Sequence, residues 1–176
     1  MYNKKYYESL IRRVRLLEAK FNANETRKNE TIPHDDVIKL CSHEWTKVGK
    51  IDGHDLYLCN DIVKKMAFSK SNSSDWYKSD IREWLNTTFY NRLSNAKKAN
   101  LVEHPETHDN VFLLSVEEVT DNIPINIRKI GVGWWMRTPG FFRDCVTYVF
   151  PGGTGYSRDE YANSPNIGVR PALLLK

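Results

Sequence analysis

The chain has 176 residues and 20.6 kDa, with 26 Lys and Arg against 22 Asp and Glu for a net charge of +4, and it is 40% hydrophobic and 12% aromatic. That length suits one domain with an appendage and buries a core without disulfides or structural metal. No apolar run approaches the roughly 18 residues that span a bilayer, the start "MYNKKYYESLIRR" has no signal-type segment, and Cys41, Cys59 and Cys145 are odd in number and far apart. Neither a membrane span nor a disulfide framework is expected, and a cytoplasmic protein with reduced, mostly buried thiols is.

Charge divides the chain. The first 30 residues hold eight basic and four acidic side chains, a surplus equal to that of the whole molecule, so residues 31–176 are neutral overall. Any attraction for nucleic acid therefore belongs to the amino-terminal arm. Within it Tyr7, Leu10, Val14, Leu17 and Phe21 recur at intervals of 3, 4, 3 and 4, which predicts an amphipathic basic helix over 1–21. The plainest reading is a helix packed on its own domain. A second is homodimerisation through Leu10, Val14 and Leu17, and a third is nucleic-acid contact through Arg12, Arg13, Arg15 and Lys20 on the opposite face. The polar stretch "NANETRKNETIPHDD" follows, predicting a linker over 22–34 and a domain over 35–176.

From about Glu44 the pattern turns to β. "EWTKVGKI" and "HDLYLCN" flank Asp52-Gly53, a dipeptide suited to the positive φ angles of a tight hairpin. "SDIREWLNTTFYNRLSNAKKANL" then predicts one amphipathic helix, capped by Ser79 or Asp80, with Ile81, Leu85, Phe89 and Leu93 on one face and Trp84 widening it. "NVFLLSVEEV" predicts an apolar strand entering an acidic turn, followed by the strands "VGWWMR", "DCVTYVF" and "IGVRPALLL". Such a mixture without regular βαβ alternation indicates an α+β fold with antiparallel pairing.

Four of these stretches, "SDIREWLNTTFYNRL", "DNVFLLSVEEV", "WWMRTPG" and "GVRPALLL", occur in order over roughly Glu44 to Lys176. Together they resemble the landmarks of DUF6273, a bacterial and phage domain within the C-type-lectin-like and formylglycine-generating-enzyme-like fold group. The resemblance implies a C-type-lectin-like twisted antiparallel sheet with flanking helices, here preceded by the helical arm. It also implies long irregular loops near the C-terminus, which in related members, including variable proteins of diversity-generating retroelements, bind ligands or other proteins.

In "GWWMRTPGFF" adjacent side chains of a strand point to opposite faces, so Trp134 and Trp135 cannot enter one core together. One is expected to face outward or to lie under another element, with Arg137 and Arg170 as core and loop support and Thr138-Pro139-Gly140 as a turn. Beyond it Phe141, Phe142, Arg143, Tyr148, Tyr156, Arg158 and Tyr161 stand among Gly, Ser, Asn and Asp. Rings of low rotamer entropy mixed with small polar residues have the composition of a recognition surface, although the alternation of Tyr148, Val149 and Phe150 requires one set to be buried.

Enzymatic chemistry finds less support. "PGGTGYS" lacks the Gly-Lys-Ser/Thr of a phosphate loop, and His104 and His108 are four apart across Pro105, in a loop pattern rather than on a helix. Cys41 and His43 would be needed to complete a zinc set. The alternative is that both imidazoles are surface loop residues. The paired active-site cysteines of the fold group's oxidising enzymes and the calcium motifs of its lectins do not occur. The expectation is a non-enzymatic recognition module without cofactor, binding a protein through its C-terminal aromatic loops. Its main rival is a phage or mobile-element inhibitor of a host defence nuclease, resembling an anti-CRISPR protein, in which the basic arm enters a nucleic-acid channel or dimerises. A metal-dependent enzyme or a lectin comes third.

Overall fold

The computed structural model describes residues 36–153 and 159–176. The arm and linker expectations, including Leu10, Arg12, Arg13, Val14, Arg15, Leu17 and Lys20, lie outside the described residues, as do Tyr156 and Arg158. β structure begins earlier than Glu44. Strand β1 (Val37–Leu40) pairs with β2 (His43–Ile51) across a two-residue turn in which Cys41 and Ser42 both have positive φ. Neither residue is a usual former of such a turn, so composition concealed this hairpin. The next is as expected: Asp52 (φ 50°) and Gly53 (φ 83°) join β2 to β3 (His54–Cys59). An extra residue at Val48 bulges β2 between Lys47 and Gly49.

Two five-stranded sheets form. The first has the order β1-β2-β3-β10-β5, with β5 at Leu101–Val102 and β10 at Ala172–Leu175. In the second the order is β4-β9-β6-β7-β8, comprising Lys64–Lys65, Gly168–Val169, Trp134–Pro139, Cys145–Val149 and Asp159–Tyr161. Pairing is antiparallel throughout except for the single bridge between Trp134 and Gly168. Residues 60–63 lead from β3 to β4 and Arg170-Pro171 from β9 to β10, and these two crossings between the sheets run side by side, with the Cys59 N–H donating to the Pro171 carbonyl at 2.9 Å and the Val63 N–H to the Val169 carbonyl. The strands thus curl from one sheet into the other, an α+β architecture.

The predicted long helix starts where expected and ends sooner. The Ser79 side chain accepts the Arg82 N–H at the head of α1 (Asp80–Trp84), which continues through a wide turn (Leu85–Phe89) and a tight one (Tyr90–Arg92). Ile81, Leu85, Phe89 and Leu93 are all buried. Leu93 is extended, however, and α2 (Asn95–Lys98) is a separate turn. The acidic turn is instead a helix, α3 (Val116–Asn122). Ser115 accepts the Glu118 N–H while the Glu118 carboxylate accepts the Ser115 N–H, a reciprocal capping box. A final turn, α4 (Ile125–Arg128), precedes β6.

The apolar run before α3 forms only the bridge Phe112–Ala172, yet it links the sheets: the Phe112 and Ala172 N–H groups each donate to the other's carbonyl, and the Leu114 carbonyl accepts the Arg137 N–H of β6. Because β6 is covered on both faces, Trp134 and Trp135 are each wholly buried. Trp134 donates its indole N–H to the Arg128 carbonyl and carries the Arg170 guanidinium 5.2 Å from its ring centre. Trp135, on the other face, donates to the Met66 carbonyl and meets Phe68 edge-on at 5.9 Å. Arg170 also donates to the carbonyls of Cys59 and Ile127, and burial pulls its pKa down to about 10. Cys59 and Cys145 are buried free thiols, and burial pushes Cys59 up to about 11.

Candidate recognition surface

The loops at one end of the second sheet are held by buried polar side chains. His104, expected at the surface, is buried against Phe112 at a centroid distance of 4.6 Å. Its Nδ1 accepts the amides of Glu106 and Thr107, so the proton resides on Nε2, which donates to Glu118 at 2.8 Å. Arg137 closes the cluster by donating to both Glu118 oxygens and to the Leu113 carbonyl. Burial opposes the charge on Glu118, but the bonds from His104 and Arg137 and the guanidinium field outweigh it and leave a pKa of about 2. With both ring nitrogens occupied, His104 has no free position for a metal. His108 is exposed, and among the described residues no group of three or more His, Cys, Asp or Glu is placed to hold an ion.

A second anchor is Asp109. Its buried carboxylate accepts the Trp76 indole N–H and the Arg82 guanidinium, each at 2.8 Å. This fixes the loop ahead of α1, and Tyr77 is left 58% exposed beside Trp76 with Arg82 5.3 Å from its ring centre. The same loop is stitched to the C-terminal half. The Ser69 N–H donates to the Ala162 carbonyl, the Ser74 hydroxyl donates to the Arg143 carbonyl at 2.9 Å, and the Asn72 side chain accepts the Asn163 N–H. Between residues 71–77 and 137–144 lies a cleft of about 670 Å³ with Trp76, Arg137 and Arg143 among its walls.

Strand β6 runs through Pro139, so the turn falls at 140–144 rather than at Thr138-Pro139-Gly140. The Gly140 amide donates to the Cys145 carbonyl, and the Cys145 amide donates to the Phe142 carbonyl. Gly140 serves by leaving space: a Cβ there would lie 2.6 Å from the Asp159 carboxyl carbon. That proximity lets Asp159 accept the Phe141 N–H and fasten the turn to β8. Burial raises the Asp159 pKa, and the amides of Phe141 and Phe142 offset this only in part.

The turn and the adjoining end of β8 present their rings to solvent. Phe142 is 66%, Tyr161 61% and Phe141 50% exposed, and the two phenylalanines meet edge-on at 5.2 Å. Arg143 is exposed beside them. Tyr148 differs, being half-buried between Trp135 and Phe150 and lying over Gly133. Tyr77 belongs to the same loop assembly, although its sequence position did not single it out. Its signal was an aromatic pair in a Ser/Asn/Asp stretch, the same composition that marks residues 141–161.

The molecule is thus an α+β domain of two curled sheets whose loops carry exposed rings on a polar-anchored base. Residues 52–176 match the family model described as Domain of unknown function (DUF6273), and the chain belongs to this family. No curated protein and no solved structure matches the chain. Among the described residues no helix is long and apolar enough to cross a membrane.

Proposed function

We propose that this chain is a non-enzymatic recognition module that docks a protein through Phe142, Tyr161 and Arg143, with Phe141 in the same turn and Tyr77 on the neighbouring loop. The observation that carries this reading is the solvent exposure of large rings on a turn whose backbone is tied down by Asp159, Cys145 and Ser74. Rings held in place lose little entropy on docking, so their buried area converts efficiently into affinity. Arg143 adds directional hydrogen bonds at the rim. The adjoining cleft offers a recess for a partner side chain. Arg137, which lines it, is neutralised by Glu118 and serves as support.

Capture from a lysate of the native host tests this reading when the wild-type chain is compared with Phe142→Ser/Tyr161→Ser. A stoichiometric protein retained by the wild type and lost by the double variant supports it. Equal retention by both places the docking elsewhere and overturns it.

A further inference from the structure

Another surface is built from different residues. Between Trp84 and Val102 the sequence contains Arg92, Lys97 and Lys98 and no Asp or Glu, with Glu83 and Glu103 closing the stretch. Lys176 joins this segment, donating through Nζ to the Ala99 carbonyl at 3.0 Å. From the second sheet, the edge strand β4 brings Lys64, whose Nζ stands 5.0 Å from the centre of the Trp84 ring, and Arg92 approaches the same ring at 5.9 Å. Lys65 follows on that strand, exposed. Lys98 lies 4.6 Å over Tyr90.

Five of the six other described lysines are paired with an acid, and Lys129, elsewhere in the domain, is the exception. Lys39, Lys47, Lys50, Lys70 and Lys78 each have a carboxylate within 4.0 Å. Among the described residues Lys64, Lys65, Arg92, Lys97, Lys98 and Lys176 form no such ion pair. Ring faces hold three of them instead. A ring attracts a cation without neutralising it, so the charge stays available while the long side chain loses freedom before any ligand arrives. The exposed side chains of this segment include Thr88, Asn91 and Asn95, which supply hydroxyl and amide donors.

We infer that this face binds the phosphodiester backbone of nucleic acid, without reading bases. A row of cations and neutral donors complements a polymer that carries one charge per unit and phosphate oxygens that only accept. An acidic polypeptide fits less well, because its own backbone amides must also be satisfied. The inference is independent of protein docking at Phe142, and it places nucleic-acid binding on the domain rather than on the arm alone.

Fluorescence anisotropy of the full-length chain tests it, using a labelled single-stranded 20-nucleotide oligothymidylate and a 20-base-pair duplex at rising NaCl, with polyglutamate as competitor. The wild type binds at least one of the two with affinity that falls as salt rises. Lys64→Glu/Arg92→Glu weakens binding at least tenfold and flattens the logarithmic salt slope by roughly 0.7 for each single-strand phosphate no longer neutralised. Lys64→Arg/Arg92→Lys and Phe142→Ser leave it intact. If the reversed pair fails to fold by circular dichroism, Lys97→Glu/Lys98→Glu carries the same expectation. The inference is overturned by absence of wild-type binding, by undiminished binding in a folded reversal variant, or by competition from polyglutamate equal, charge for charge, to that from unlabelled oligonucleotide. Weakening confined to Arg12→Glu/Arg13→Glu/Arg15→Glu would move the site to the arm and overturn it equally.

Discussion

Glu118 sits where α3, the His104 loop and β6 meet, and its ionisation is linked to folding. Its folded pKa of about 2 lies below the ordinary carboxyl value of 4.5, so the charged form is favoured in the native state. The associated stability is complete above that ordinary value and is lost as pH falls toward 2. Removing the charge also leaves Arg137, whose guanidinium is only 7% exposed, with the Leu113 carbonyl and the longer, solvent-exposed contact to Glu106 at 3.5 Å. Glu118→Gln is therefore expected to lower unfolding free energy by about 3 kcal/mol at neutral pH. Urea titrations of both proteins from pH 7 to pH 2 should show the gap narrowing at the acid end. An unchanged gap would contradict the linkage.

Gly140 makes a comparable test at the tip. An added methyl collides with the Asp159 carboxylate, which must swing away and so give up the Phe141 amide. Gly140→Ala should cost about 1–2 kcal/mol and reduce partner retention as strongly as loss of a ring. Thermal melts and capture experiments read the two effects separately. Composition picked out Phe142 and Tyr161, but it said nothing of Asp159 as their anchor, because that role arises from a close approach across strands.

At the scale of elements, local chemistry was read correctly at two places where side chain or backbone preference acts nearby, and missed at a third, where a turn was expected ahead of β6. Asp52-Gly53 and the Ser79 cap are the two. The capping box at Ser115 and Glu118 was equally local, a Ser-x-x-Glu ahead of a periodic run, and it makes α3 a helix rather than a turn. Ser115→Ala should lower stability by about 1 kcal/mol, measurable by chemical denaturation, with the fold unchanged. The end of the helix begun by Ser79 was not legible. Apolar residues continue at intervals of four to Leu93, yet packing halts the helix there as Leu93 enters the core in an extended conformation. Likewise "NVFLLS" has the composition of a strand but makes one bridge, because it is wedged between β10 and β6 instead of lying in either sheet's regular order.

Across the whole molecule, the last strand is the most consequential. β10 occupies an inner position of the first sheet between β3 and β5, and its residues Ala172, Leu173 and Leu174 are wholly buried. Deleting residues 172–176 exposes the partners of β10 and removes the bridge to Phe112. The truncated chain should lose its cooperative thermal transition, as followed by calorimetry or near-ultraviolet circular dichroism. A transition preserved near the full-length midpoint would show that the sheets hold without it.

The amino-acid sequence by itself determined the α+β class, the Asp52-Gly53 hairpin, the capped start of α1, its buried face and the aromatic character of the C-terminal loops, because these follow from backbone preference and side-chain periodicity over a few residues. Only the tertiary structure decided that both tryptophans of β6 are buried, that His104 is an interior hydrogen-bonding residue, that Tyr77 stands in the same loop assembly as Phe142, and that Lys64 and Arg92 share one ring. Each of these depends on which distant segments cover a face, and burial, partner choice and charge pairing are set by neighbours that sequence separation conceals.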